Sequence, residues 1–184
     1  MEPRSPRTVD DPVAFCLSGL TQRPPPALIV SGGIGSGKTT TVARLVAALR
    51  SRSIPVHGVL APRVLEEDGR TTGYDLEDVA TGRRRSFLRS SPPGEAVGRF
   101  FADDTALREA GDAVSGTGPG SVAVIDEVGR AEIEDRGHAA AVRTACRSGA
   151  LVVLAVRTEF VDRVAARFEL GDWWEHRVRR EERD

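Results

Sequence analysis

Residues 27–41, ALIVSGGIGSGKTTT, constrain this chain more than any other stretch. Four apolar residues, Ala27 to Val30, precede a glycine-rich turn. Val42, Leu45, Val46 and Leu49 then follow at i, i+3, i+4 and i+7. The apolar run fits a strand buried on both faces, and the recurrence marks one face of a helix reaching about Arg50. Between them, Gly32 and the triplet Gly37-Lys38-Thr39 have the spacing of a phosphate-binding P-loop. Gly32, Gly33, Gly35 and Gly37 admit backbone angles closed to other residues and remove side chains that would block a phosphate. The freed N–H groups, with a helix N-terminus behind them, form an anion site. Residues 32–40 are therefore the expected nucleotide-binding set: Gly32, Gly33, Ile34, Gly35, Ser36, Gly37, Lys38, Thr39 and Thr40. Lys38, the only lysine in the chain, would reach the β- and γ-phosphates as a compact charge that arginine does not replace well. Thr39 would offer its hydroxyl to Mg²⁺.

The remaining pattern alternates strands with helices. Strands are expected at residues 54–60, 122–125 and 151–156, with a last short one around 174–178. Helices are expected near 103–114, 136–147 and 159–168. Residues 70–89 read as a hairpin turning at Ala80-Thr81-Gly82. Residues 90–121 are rich in Gly, Pro and Ser. Residues 1–26 read as a partly flexible leader ending in Arg23-Pro24-Pro25-Pro26, and 27–184 as one P-loop domain. This order implies an α/β fold with a mainly parallel central sheet and an inserted hairpin.

A second motif lies in residues 122–133, VAVIDEVGRAEI. Four apolar residues ending on a carboxylate make a Walker B pattern, with Asp126 at the strand's carboxyl end as a Mg²⁺ ligand. Glu127 is either the base that orients and deprotonates an attacking water or a supporting, ion-paired carboxylate. Transferring a γ-phosphoryl group also calls for a cation on its oxygens. Arg130, Arg157 and Arg63 are the candidates, each with an ordinary solvated or paired arginine as the alternative. Lys38, Glu127, Arg130 and Arg157 form the expected catalytic set, with Thr39 and Asp126 as metal ligands.

Composition removes other classes. A net charge of −1 gives no electrostatic case for binding nucleic acid. No apolar run approaches the roughly 18 residues of a membrane span. The chain has no asparagine, so the Asn-Lys-x-Asp guanine loop of regulatory GTPases is excluded. Cys16 and Cys146 form no framework, which fits free thiols in a reducing cytoplasm. His57, His138 and His176 lack metal-ligand spacing. Arg83-Arg84-Arg85 reads as a solvated strand edge, and Trp173 and Trp174 as packing anchors.

These pieces together resemble the thermophilic-type, or cancer-related, nucleoside-triphosphatases of the RecA-like branch of P-loop proteins. The matching segments are GGIGSGKTT, GVLAPRV at 58–64, GYDLEDVATG at 73–82 and VIDEVGRAEI at 124–133. The resemblance covers about residues 27–168. It implies a three-layer, RecA-like P-loop NTPase fold and slow, Mg²⁺-dependent hydrolysis of ATP, GTP and other nucleoside triphosphates, with little base preference. Glu132 matches the last acid of the box, with no role derivable from the residues. The chain departs in its leader, in Ala131 and Arg130, and in lacking the family's C-terminal Asn-Arg element, for which Glu175-His176-Arg177 is the candidate substitute. Two alternatives to hydrolysis stay open: a small-molecule kinase with a lid in residues 90–121, and a partner-gated ATPase module.

Overall fold

The computed structural model describes residues 7–179. The elements begin with β1 (Arg7–Thr8), α1 (Pro12–Gly19), β2 (Ala27–Gly32), α2 (Lys38–Arg50) and β3 (Val56–Leu60). An antiparallel section follows: β4 (Arg63–Leu65), β5 (Thr71–Asp78), β6 (Arg84–Arg89), β7 (Glu95–Val97) and β8 (Phe100–Ala102). Then come α3 (Asp104–Ser115), β9 (Val122–Val128), α4 (Arg130–Ile133), α5 (Ala139–Arg147), β10 (Leu151–Arg157), α6 (Val161–Arg167) and β11 (Trp173–Arg177).

All strands join one sheet in the order β1-β11-β2-β10-β9-β3-β5-β6-β8-β7, with β4 beside β5. From β1 to β3 neighbours run parallel. From β3 outward they run antiparallel. The central strands read as continuous apolar runs because both faces are covered. On one face Leu28, Val30, Val122, Val124, Leu151 and Val153 pack with Cys16 of α1 and Val42, Leu45 and Leu49 of α2. On the other, Ile29, Ala123, Ile125, Val152 and Leu154 pack with Ala106 and Val114 of α3, Val142 of α5 and Val164 of α6. The result is the expected three-layer α/β arrangement.

Three expectations need adjusting. The stretch read as a leader contributes to the domain: Asp11 caps α1 by accepting from the N–H groups of Val13 and Ala14, and β1 extends the sheet. The expected hairpin exists, but as part of a larger antiparallel extension that includes β4, β7 and β8. The helix expected at 136–147 begins at Ala139, and a separate turn, α4, precedes it. Gly137 (φ +57°) and Asp135 (φ +61°) interrupt the helical path. Trp174 packs on Phe15 at 5.8 Å between centroids, as an anchor does. Arg84 and Arg85 are ion-paired with Glu77 and Glu109, so the arginine run is no free basic patch. The end of the charged tail, 180–184, lies outside the described residues.

Burial of His138 has a measurable consequence. Its ring stacks on Phe87 at 4.7 Å, neither ring nitrogen has a partner among the described residues, and burial pushes its pKa down to about 4. The unfolded chain takes a proton there below about pH 6.5, whereas the folded chain resists until near pH 4. Stability from this site therefore falls as pH drops through that window. Asp126, raised to about 6 by burial and Glu127, acts with the opposite sign in the same window. Comparison with His138→Leu isolates the histidine. The variant should gain roughly 2–3 kcal/mol on the parent protein between pH 7.5 and 4.5 in denaturant titrations. Parallel pH profiles would refute the neutral buried imidazole.

Candidate active site

The site lies at the carboxyl ends of the parallel strands β2, β3, β9 and β10, where open α/β sheets bind ligands. The loop after β2 turns at Gly37, which caps α2 at φ +98°, a conformation that favours glycine. Gly32 meets a different demand: a Cβ there would lie 2.4 Å from the Ser36 hydroxyl and 3.0 Å from the Val178 carbonyl. The first N–H groups of α2 have no helical partner and face the loop. Thr41 N–H is the one that returns to the Gly37 carbonyl, at 2.8 Å.

Lys38 is buried, and its Nζ donates to the Gly32 carbonyl at 3.1 Å and the Gly33 carbonyl at 3.0 Å. Burial lowers its pKa, while Glu127 and Asp126 act to raise it. The lysine thus spans the loop from its helical end to its start. Ser36 Oγ is buried and has no partner among the described residues.

Asp126 is fully buried at the end of β9. Its carboxylate accepts from Ala61 N–H at 3.1 Å and from Glu127 N–H at 2.9 Å, and the neighbouring Thr39 hydroxyl acts to lower its pKa. Burial and the neighbouring Glu127 raise its pKa. Thr39 and Asp126 thus come from separate segments to one point. Among the described residues no cluster of three or more His, Cys, Asp or Glu could hold a metal. One hydroxyl and one carboxylate suit a cation that takes its other ligands from phosphates and waters, as Mg²⁺ does.

Glu127 owes its direction to a bulge. Ile125 pairs with Leu154 and Val128 with Val156, so Asp126 and Glu127 together face the single residue Ala155. Glu127 absorbs the extra residue at φ +57°, an unfavourable angle for a side-chain-bearing residue. The bulge puts Asp126 inward while Glu127 lines the crevice.

That crevice has two parts. The inner one, about 170 Å³, is lined by Ile34, Gly35, Gly37, Lys38, Thr39, Thr40, Pro62, Arg63, Tyr74, Glu127 and Arg157. The structure thus brings most of the expected nucleotide-binding residues to one pocket, together with Glu127 and Arg157. Gly32, Gly33 and Ser36 shape the loop behind it. Arg130 is exposed and belongs to the outer cavity. Arg63 reaches over the loop, 3.7 Å from where a Cβ on Gly35 would stand. Tyr74, from the hairpin, had no signal in its own residue type. Only its register beside Arg63 places it here.

Two acids have structural tasks that the residues alone did not disclose. Glu132 is buried, with Oε2 accepting from Gly129 N–H at 2.7 Å and Oε1 from His138 N–H at 2.9 Å. It caps α4 and ties it to the start of α5, fixing the segment just past Glu127. Removing it strands one buried and one half-buried donor, so Glu132→Ala should lose about 2–4 kcal/mol. That corresponds to a melting point lower by roughly 5–15 °C for a domain of this size. An unshifted melting curve would show the cap to be dispensable. Glu175 accepts from the Ser31 hydroxyl at 2.6 Å and from Arg177 Nε at 2.9 Å. It supports the strand beneath the loop.

Residues 27–184 match the family model described as NTPase. The nucleoside-triphosphatase THEP1 of Methanopyrus kandleri is 30% identical over 164 residues, spanning 80% of this chain and 89% of that protein. The cancer-related nucleoside-triphosphatase of Homo sapiens is 30% identical over 139 residues, spanning 69% and 72%. The solution structure of a human cancer-related nucleoside triphosphatase superposes with a TM-score of 0.66 at 24% identity, over 85% of this chain and 90% of that one. The crystal structure of THEP1 from the hyperthermophile Aquifex aeolicus gives 0.59 at 23%, over 86% and 92%. At such identities the two structures speak for the fold. The family model, spanning most of the chain, and the relatives at 30% identity go further: the chain belongs to the NTPase family.

Proposed function

We propose that this pocket hydrolyses Mg²⁺-bound nucleoside triphosphates to diphosphate and phosphate. Membership of the NTPase family makes the chain a nucleoside-triphosphatase. The roles of individual residues rest on one observation: Lys38, Thr39 and Glu127, from two distant segments, line a single glycine-walled pocket, with Asp126 buried beside Thr39.

In this reading the loop N–H groups wrap the phosphates, and Lys38 exchanges the Gly32 and Gly33 carbonyls for β- and γ-phosphate oxygens. Thr39 and Asp126 would hold Mg²⁺. Bound there, the cation neutralises charge on the phosphate oxygens. Glu127 orients a water and takes its proton as the water oxygen bonds to the γ-phosphorus. The bond from phosphorus to the bridging oxygen breaks, and the diphosphate leaves. In this reading Arg157 and Arg63, on the lining of the inner pocket, would meet the γ-phosphate oxygens, while Arg130 lines the outer cavity. Acceptance of ATP and GTP alike is part of this reading. Cys16 and Cys146 are unpaired thiols, their pKa values pushed by burial to about 12 and about 11, which supports a cytoplasmic setting. No helix of the described residues is long and apolar enough to cross a membrane.

The direct test is phosphate release from ATP, GTP, CTP and UTP, with Mg²⁺ and with excess chelator. Release from all four, abolished by chelation, is expected. Release that survives chelation would remove the metal from the scheme, and release from one nucleotide alone would remove the broad specificity.

A further inference from the structure

Beyond the phosphate pocket the crevice opens into a second cavity of about 630 Å³. The two share Tyr74, Glu127 and Arg157, and none of the loop residues Gly35, Gly37 or Thr40 lines the outer one. On the proposed placement of the triphosphate, the outer cavity would start at its γ end. A hydrolytic water needs roughly 30 Å³. A volume near 600 Å³ is in the range of pockets for small organic ligands.

Its walls have two characters. One is apolar: Phe87, Leu88 and Phe100 are buried beneath it, Tyr74 packs edge-on to Phe100 at 5.6 Å, and Phe160 stands opposite. The other is basic, with Arg130, Arg136, Arg157 and Arg163 on the lining. Arg136 also donates to the Ala96 carbonyl at 2.6 Å, closing the β7–β8 hairpin over the cavity. Arg163 lies over the Phe160 ring at 5.8 Å. Arg130, Arg157 and Arg163 make no ion pair among the described residues. Arg136 is paired with Glu134 and Glu132 is occupied by its two backbone donors, which leaves Glu127 and Glu159 beside the guanidinium groups of Arg130, Arg157 and Arg163. Flat apolar walls beside a surplus of forked cations fit a ring joined to a phosphate.

We propose that this cavity is a second-ligand site for a small ring-bearing phosphate of the nucleoside-monophosphate kind, seated against Glu127. The inference rests on the proposed placement of the γ-phosphate. An occupant there excludes bulk water from the open side of Glu127 and so lowers phosphate release without competing for the loop.

The test uses the full chain saturated with Mg²⁺ and a non-hydrolysable ATP analogue. The 5′-monophosphates of adenosine, guanosine, cytidine and uridine are titrated into it calorimetrically. At least one should bind below millimolar concentration, and it should lower phosphate release from ATP at least about fivefold with the KM for ATP unchanged. Arg163→Ala should weaken that binding about tenfold or more while the analogue's affinity stays within twofold. The proposal falls if no monophosphate binds, if the binder displaces the analogue, or if Arg163→Ala leaves its affinity unchanged. Failure of the analogue itself to bind would instead overturn the nucleotide pocket.

Discussion

Glu127→Gln is expected to bind Mg²⁺-ATP within about twofold of the parent affinity while turnover drops at least about 10²-fold. The amide is isosteric, so the bulge, the φ of +57° and the N–H donated to Asp126 all persist. What it loses is the capacity to take a proton from water. Binding is spared because the phosphates are held by the loop, Lys38 and the metal ligands rather than by this carboxylate. Single-turnover phosphate release, with affinity measured separately, separates the two effects. Turnover within threefold of the parent value would remove Glu127 as the base and leave it a supporting acid.

Lys38→Ala should damage both quantities: affinity by about tenfold or more and kcat/KM by about 10³-fold. The side chain is buried at 6% exposure, directed at two loop carbonyls that mark where phosphate oxygens would come. Lys38→Arg tests the shape of the cradle. A planar fork cannot occupy the space of an ammonium between Gly32 and Gly33, so arginine should restore little despite its charge. Normal ATP binding by the alanine variant would overturn the whole site. Full activity in the arginine variant would leave charge as the sole requirement.

The loop and Asp126 were legible because their signals are local. Glycine spacing, an apolar run and helical recurrence all lie within a few residues of the group they position. Glu127 was legible as a residue and illegible as a geometry. Its positive φ is imposed by two residues of β9 facing Ala155, and nothing in the residue itself favours that angle. Glu132 was the reverse case, visible in the motif but without a task, since its partners Gly129 and His138 are fixed only once α4 forms. The strands β7 and β8 were hidden by the Ser, Pro and Gly around them. Their pairing is set by β6 rather than by their own composition. Arg130 and Arg157 stood together in the expected catalytic set; the sheet separates them by putting Arg157 at the end of β10, on the inner pocket, and Arg130 past the bulge.

The strand that carries the phosphate loop sits between β10 and β11. β11 also holds it through Glu175 and Val178 N–H, which reach Ser31. β2 belongs to the early part of the chain and both its neighbours to the late part. During folding, then, β2 has neither of its sheet neighbours until the distant β10 and β11 are present. The loop after β2 is therefore framed only once those distant strands have joined it. Nucleotide binding thereby reports that the two ends of the domain have found each other.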